Sequence, residues 1–115
     1  MIILGDCIEK MREIEDESID LVIADPPYWK VIGEKWDYQW RTEKDYVKWS
    51  IDWITEVSRI LRKGGTFYLF GYFRTLALLV PYFEEMELEL RQQILVDKGM
   101  RSVTGRATKN YKLFP

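Results

Sequence analysis

The feature that most constrains the fold is an apolar run, Ile19 to Ala24, that stops abruptly at Asp25-Pro26-Pro27-Tyr28. Only Asp20 interrupts the run, which is typical of a strand covered on both faces, as the strands of parallel sheets are. Each proline lacks a backbone N–H and biases the residue before it toward an extended conformation. The sequence therefore predicts a buried strand that ends in a stiff corner.

Strands and helices alternate along the chain, which favours an α/β fold with a mostly parallel sheet. Apolar and β-branched runs predict strands at 1–4, 19–24, 66–70 and 92–96. Helical spacing predicts a short helix within 8–14, a long helix to about residue 62 and a third helix across 73–86, with Pro81 kinking it or opening a new turn. The stretches 29–41 and 99–115 predict loops.

The long helix has the clearest pattern. Apolar side chains recur at helical spacing from Tyr46 to Leu61, so we expect Trp49 and Trp53 to lie in the core. Thr42, with an acidic residue three positions later, resembles a capping box at the start of this helix. Gly64-Gly65 is expected to stop it.

Composition excludes several kinds of site. The 115 residues contain no histidine and one cysteine, Cys7. Histidine bases, histidine zinc ligands, histidine-paired nucleophiles and cysteine zinc clusters are therefore excluded, and we expect no metal site. No apolar run reaches the roughly 18 to 20 residues of a membrane helix, and the start of the chain lacks a basic signal region. We expect a cytoplasmic protein with no membrane partner.

Charge is distributed unevenly along the chain. Residues 1–28 carry eight acids and two bases, whereas residues 91–115 carry six bases and one acid, Asp97. A basic tail with small polar residues between its charges could follow a phosphate backbone. A solvated surface loop explains the same charges equally well.

The corner from Asp25 to Tyr28 suits an amino group attached to a flat aromatic ring. In α/β folds, ligands bind beyond the carboxyl ends of the strands. The lone pair of such an amino group is delocalised into the ring. The nitrogen becomes nucleophilic when acceptors bind both of its N–H groups by hydrogen bonds. Asp25 offers a carboxylate, Pro26 offers a carbonyl, and Tyr28 offers a stacking face. A proline-rich turn with no chemical role is the alternative.

These residues resemble the amino-group DNA methyltransferases, which use S-adenosylmethionine on adenine N6 or cytosine N4. The similarity extends beyond Asp25-Pro26-Pro27-Tyr28 to Gly5-Asp6-Cys7, Glu17 to Val22, Arg59 to Gly65 and Asp97-Lys98. Their order resembles the β group, in which the catalytic motif precedes the cofactor-binding glycine motif. The resemblance implies the N-terminal portion of a Rossmann-like methyltransferase fold with a mostly parallel sheet.

The resemblance also implies roles for single residues. The target base would be held by Asp25, Pro26 and Tyr28, with Pro27 fixing the shape of the corner, and the cofactor would be bound by Asp6, Cys7 and Asp25. An Asp at the first motif position resembles the adenine-N6 enzymes, whose target base would be flipped out of the duplex onto Tyr28. Further DNA-binding candidates are Trp29, Trp36, Lys98, Arg101, Arg106 and Lys109.

Three tryptophans at or after the corner each allow two interpretations. Trp29 lines the pocket or packs in the core, and the family often has a smaller or polar residue at this position. Trp36 and Trp40 lie in the loop after the motif. They flank the target base or pack in the core.

No Gly-x-Gly occurs in the sequence, so the glycine turn that the family uses for the methionine end of the cofactor is missing from these residues. In the family's sheet, two strands of that missing region separate the strand at 1–4 from the strand at 19–24. We therefore expect residues 1–98 to be the catalytic-motif half of a methyltransferase domain. Residues 99–115 would be a basic loop toward the missing target-recognition and cofactor region, and a companion segment or a homodimer would complete the fold.

The sequence thus predicts an S-adenosylmethionine-dependent adenine-N6 methyltransferase of the restriction-modification or orphan type, acting on double-stranded DNA. An N-methyltransferase for RNA or protein could use a similar corner. An inactive, truncated fragment that binds nucleic acid through its basic tail is the non-enzymatic alternative.

Overall fold

A long helix packed on two parallel strands forms the centre of the structure, a computed structural model that describes residues 1–29 and 40–97. In chain order the elements are α1 (Cys7–Met11), β1 (Ile19–Ala24), α2 (Glu43–Ile60), β2 (Leu61–Leu69) and α3 (Phe73–Leu79), followed by 3-10 turns at Val80–Tyr82 and Glu84–Met86. The chain is therefore α/β, as the alternating pattern predicted.

The two strands are parallel, and α2 is the crossover between them. Their regular register runs from Leu21 opposite Thr66 to Ala24 opposite Leu69. The N–H of Phe70 then donates to the carbonyl of Ala24 at 2.9 Å. Both strands consequently end at the same edge of the sheet, directly before Asp25.

The start and end of α2 follow from its sequence. The hydroxyl of Thr42 accepts a hydrogen bond from the N–H of Asp45 at 3.1 Å, which confirms the predicted cap. The helix ends at Ile60, before the glycines that were expected to stop it. Gly64 instead has a φ of +77°, which lets residues 62–65 bulge opposite a single residue of β1.

The core lies between α2, α3 and one face of the sheet. Trp53, at 4% exposed, meets Phe67 of β2 edge-to-face with 6.1 Å between ring centroids. Trp49 is partly buried against the same cluster, so both tryptophans pack as predicted. The other buried members are Ile54, Val57 and Leu79. Within the described parts of the chain, no helix is both long enough and apolar enough to cross a bilayer.

The opposite face of the sheet is uncovered. Leu21 and Ile23 of β1 are 49% and 63% exposed, and Tyr68 and Phe70 of the neighbouring chain segment are 45% and 47% exposed. The prediction that β1 is covered on both faces is therefore wrong for the residues described. Exposure alternates along the strands because every second side chain points inward and packs on α2, while its neighbours point away from the core.

The predicted strands at 1–4 and 92–96 are also wrong. Met1 to Leu4 and Gln92 to Val96 have no strand structure, and Ile2 and Ile94 are 97% and 60% exposed. An apolar run becomes a strand only when another strand satisfies its backbone groups, and the described residues supply none for either run.

The predicted third helix is interrupted where its proline suggested. α3 ends at Leu79, and a 3-10 turn follows at Val80–Tyr82. Pro81 cannot donate a backbone hydrogen bond, so regular α-helix cannot continue through it.

Arg59, near the end of α2, fastens α1 to the rest of the fold. Its guanidinium donates to the carbonyls of Met11 and Ile14 at 2.6 and 2.8 Å, and to the carboxylate of Asp16 at 2.7 Å. The hydrogen bond to Glu56, and to a lesser extent the one to Asp16, raises the pKa of Arg59 above its usual value. Arg59 therefore ties the segment before β1 to α2, together with backbone hydrogen bonds from Glu17 and Ser18 to the carbonyls of Arg59 and Ile60.

We expect Ile54→Ala to lower the free energy of unfolding by about 2–5 kcal/mol, because it leaves a cavity in the core. Ile54 is 0% exposed. Ile94→Ala makes the same chemical change at a position that is 60% exposed, and should cost less than about 0.5 kcal/mol. Denaturant titrations of the two variants measure the difference. Equal losses would contradict the packing of α2 on the sheet.

Candidate active site

Asp25 stands at the carboxyl end of β1, one residue beyond the last strand pair. Its side chain is exposed, whereas Pro26 and Pro27 are half-buried. The prolines restrict the backbone of the corner, and the neighbouring strand fixes where the corner begins. The predicted carboxylate therefore lies at the edge of the sheet where α/β folds bind their ligands.

Tyr28 turns back toward the same carboxylate. Its hydroxyl donates a hydrogen bond to Oδ1 of Asp25 at 2.7 Å. Partial burial raises the pKa of Tyr28 to about 12, and the hydrogen bond to Asp25, the charge of Asp25 and the nearby Tyr46 act in the same direction. The hydroxyl consequently stays protonated and can donate throughout the neutral pH range. The structure thus brings together two of the predicted catalytic residues.

Trp29 is partly buried and packs against α2, and its predicted contact with DNA stays a prediction. Its ring stacks on Tyr46 with 6.0 Å between centroids and 14° between planes. Its indole N–H donates to the carbonyl of Trp40 at 3.0 Å, and Trp40 meets Tyr46 edge-to-face at 5.0 Å. We call Trp29, Trp40 and Tyr46 the aromatic clasp. The clasp fastens the end of the corner to the start of α2.

The role of Tyr46 in this clasp was not predicted from the sequence. Tyr46 is 2% exposed and was predicted only as the first apolar residue of the helical pattern. Tyr46 lies one turn after the Thr42 cap, so it stands near the start of α2. Because α2 follows the corner in the crossover, this position could have indicated a contact with the corner. Trp40 is partly buried and its ring contacts both Tyr46 and Trp49.

Asp6 and Cys7 lie at the start of α1. Oδ1 of Asp6 caps the helix by accepting the N–H groups of Ile8 and Glu9 at 3.0 and 3.1 Å. Partial desolvation of the thiol, followed by the charge of Asp6, raises the pKa of Cys7. Cys7 is thus held as a thiol, which is a weak nucleophile. No hydrogen bond or ion pair joins these two residues to Asp25 in the part of the chain that the structure describes.

An open cleft runs from the corner along β2. Asp25 and Tyr28 line it together with Phe70, Tyr72 and Phe73, which follow the carboxyl end of β2. These aromatic side chains are 47%, 52% and 66% exposed. The sequence analysis did not select them. Their position directly after a strand parallel to β1 could have indicated that they lie near Asp25, because the carboxyl ends of parallel strands meet at one edge of the sheet.

The remaining predicted DNA-binding residues lie outside the described residues, and their roles stay predictions. They are Trp36, Lys98, Arg101, Arg106 and Lys109. The predicted division into residues 1–98 and 99–115 likewise stays a prediction.

The corner can accept hydrogen bonds and offer an aromatic face. The carboxylate of Asp25 has about four lone-pair sites in total, and Tyr28 takes one of them. The carbonyl of Pro26 adds another acceptor, and no N–H from Pro27 stands beside it. Such a set suits a planar ligand that presents N–H donors.

Comparisons with known proteins point to one family. A family model described as DNA methylase matches residues 19–113. The chain is 29% identical to the Type II methyltransferase M.HinfI of Haemophilus influenzae, over 84% of this chain and 31% of that protein. It is 31% identical to the Type II methyltransferase M.BamHI of Bacillus amyloliquefaciens, over 81% of this chain and 22% of that protein.

A third relative is the DNA adenine methyltransferase YhdJ of Escherichia coli strain K12. It is 38% identical, over 59% of this chain and 23% of that protein. The chain therefore spans less than a third of the length of each of these curated relatives.

We expect Asp25→Asn to lower the pKa of Tyr28 from about 12. The substitution removes the negative charge, but burial remains, so the value should stay above the roughly 10 of an exposed tyrosine. Titration of the tyrosine ring carbons by NMR measures the shift. Asp20→Asn is the matched control, because Asp20 lies on the same strand and binds Arg62 instead. An unchanged Tyr28 in the Asp25 variant would contradict the contact.

Proposed function

Because the chain belongs to the DNA methylase family of amino-group methyltransferases, we propose that it forms the part of an enzyme that binds the target base. The proposed enzyme methylates adenine N6 in double-stranded DNA. The observation that carries the proposal is the corner at the carboxyl end of β1. There the carboxylate of Asp25 lies 2.7 Å from the hydroxyl of Tyr28, beside a proline carbonyl.

The chemistry of the proposal follows from what limits an aromatic amine. The nitrogen lone pair of the adenine amino group is delocalised into the ring. When Asp25 and the carbonyl of Pro26 accept hydrogen bonds from the two N–H groups, the nitrogen can become pyramidal. Its lone pair can then attack a methyl group. These acceptors also stabilise the positive charge that develops on the nitrogen. The new N–C bond would form as the bond between the methyl carbon and the donor's sulfonium sulfur breaks, and the methylated amine would pass one N–H proton to solvent.

The target base has to leave the duplex to reach the corner. Extrusion costs a few kcal/mol, which stacking on an aromatic face offsets. Tyr28 supplies the face next to Asp25, and the exposed aromatic side chains of Phe70 and Tyr72 line the same cleft. The contacts of Trp29 in the aromatic clasp support a role for this residue in holding the corner in place.

S-adenosylmethionine is the proposed cofactor, and it supplies an electrophilic methyl group when bound. The residues here fit one end of it. Asp6 has an exposed carboxylate with one oxygen engaged at α1, so acceptor capacity remains for the adenine end of the cofactor. Cys7 would contribute its backbone, and Asp25 would contact the reacting end. Arg59 holds α1 against α2 and so determines the position of Asp6 and Cys7 at the start of α1.

The proposal includes partners that complete the fold. The chain spans less than a third of its relatives, and the uncovered face of the sheet carries exposed Leu21 and Ile23. A companion segment with the glycine motif would cover this face and complete a Rossmann-like sheet. A homodimer is the other arrangement that hides apolar surface. We place the activity in the cytoplasm, where bacterial DNA lies.

Transfer of labelled methyl groups from S-adenosylmethionine to duplex DNA by the full-length protein tests the proposal. We expect Asp25→Ala to reduce the rate by about 100-fold or more, because the developing charge loses its main acceptor. Asp20→Ala removes a carboxylate from the same strand, outside the corner, and should keep most of the activity.

Equal rates for the wild-type protein and Asp25→Ala would overturn the assigned mechanism. Transfer to RNA or to protein in preference to duplex DNA would overturn the substrate. These outcomes are distinguished by offering the three substrates in parallel.

A further inference from the structure

We propose that the hydroxyl of Tyr28 is a positioning group: it holds the carboxylate of Asp25 in the orientation that receives the target amino group. This role is separate from the stacking of the Tyr28 ring, and it rests on the function proposed above for the corner. It assigns two tasks to one side chain, with the ring facing the base and the hydroxyl acting through Asp25.

The geometry of the contact carries the proposal. The hydroxyl oxygen of Tyr28 lies 2.7 Å from Oδ1 of Asp25, a length that suits a bond to a charged oxygen. Two prolines separate the residues, and both restrict the backbone between them. The side-chain bond therefore closes a short loop that has little freedom of its own. Oδ2 is left to accept from a ligand.

Tyr28 is an effective partner because Asp25 has few other restraints among the residues that the structure describes. The side chain of Asp25 is exposed at the edge of the sheet, where a carboxylate can adopt several rotamers. Among residues 1–29 and 40–97, Tyr28 is the residue that donates a hydrogen bond to it. Catalysis by an acceptor depends on its placement, since an error of about 1 Å can cost about 100-fold in rate.

The donor is present under working conditions. Burial and the neighbouring Asp25 raise the pKa of Tyr28 to about 12, so the hydroxyl keeps its proton at neutral pH. Tyr46 is the other titratable group that acts on Tyr28, and it also favours the protonated form. Tyr28 is in turn held by the chain that follows, because Trp29 is fixed in the aromatic clasp.

Tyr28→Phe separates the two tasks, because it keeps the ring and removes the hydroxyl. In the full-length protein we expect kcat to fall about tenfold while KM for duplex DNA stays within about twofold, the pattern of an interaction that matters in the transition state. Tyr82→Phe makes the same change in the 3-10 turn at Val80–Tyr82 and is the matched control. An unchanged or higher kcat in Tyr28→Phe would overturn the proposal.

A second measurement needs no methyl transfer. Three-bond NMR couplings report the χ1 rotamers of Asp25 in the protein without DNA or cofactor. We expect one dominant rotamer in the wild-type protein and in Tyr82→Phe, and averaging over several rotamers in Tyr28→Phe. Averaging already in the wild-type protein, or equal populations in all three proteins, would overturn the positioning role. If wild-type protein transfers no methyl group, the proposed function fails while this result still decides the inference.

Discussion

The parallel pairing of β1 with β2 is the interaction on which the rest of the structure depends. It continues through Ala24 opposite Leu69 to the bond from Phe70, so both strands end together. A shift of one residue would turn every inward side chain outward and detach the sheet from α2. The position of Asp25 is therefore set by the same register that builds the core.

The sheet has two different faces, and this difference links the fold to the proposed chemistry. One face packs on α2 through residues such as Phe67, while the other exposes Leu21 and Ile23. The corner at Asp25 lies at the edge between them. The acceptor groups proposed for the target amine all lie in this corner, and a companion segment is proposed to hold the methionine end of the cofactor.

Local patterns predicted the parts of the structure that depend on neighbours in sequence. The cap at Thr42, the helical period through Trp53 and the stop of β1 before two prolines all appear as expected, because each follows from a few adjacent residues. The runs at 1–4 and 92–96 were mispredicted as strands. Whether an apolar run pairs depends on a partner distant in sequence, which its own residues do not reveal.

The site shows the same division between local and distant determinants. The acceptor corner could be predicted because its chemistry is contained in four consecutive residues. The packing of Trp29 could not, since an indole suits a pocket as well as a core, and its contacts with Tyr46 and Trp40 depend on the three-dimensional structure. The bond between Tyr28 and Asp25 was also not predicted, because the side-chain directions in a turn with two prolines depend on its three-dimensional shape.

If the corner at Asp25 activates an exocyclic amine, duplex DNA treated with the full-length protein and S-adenosylmethionine should contain N6-methyladenine. Mass spectrometry of the nucleosides from this DNA measures it. The appearance of 5-methylcytosine would contradict this activation, because methylation of a ring carbon needs no acceptor for an amino group, and so would DNA that carries no methylated base.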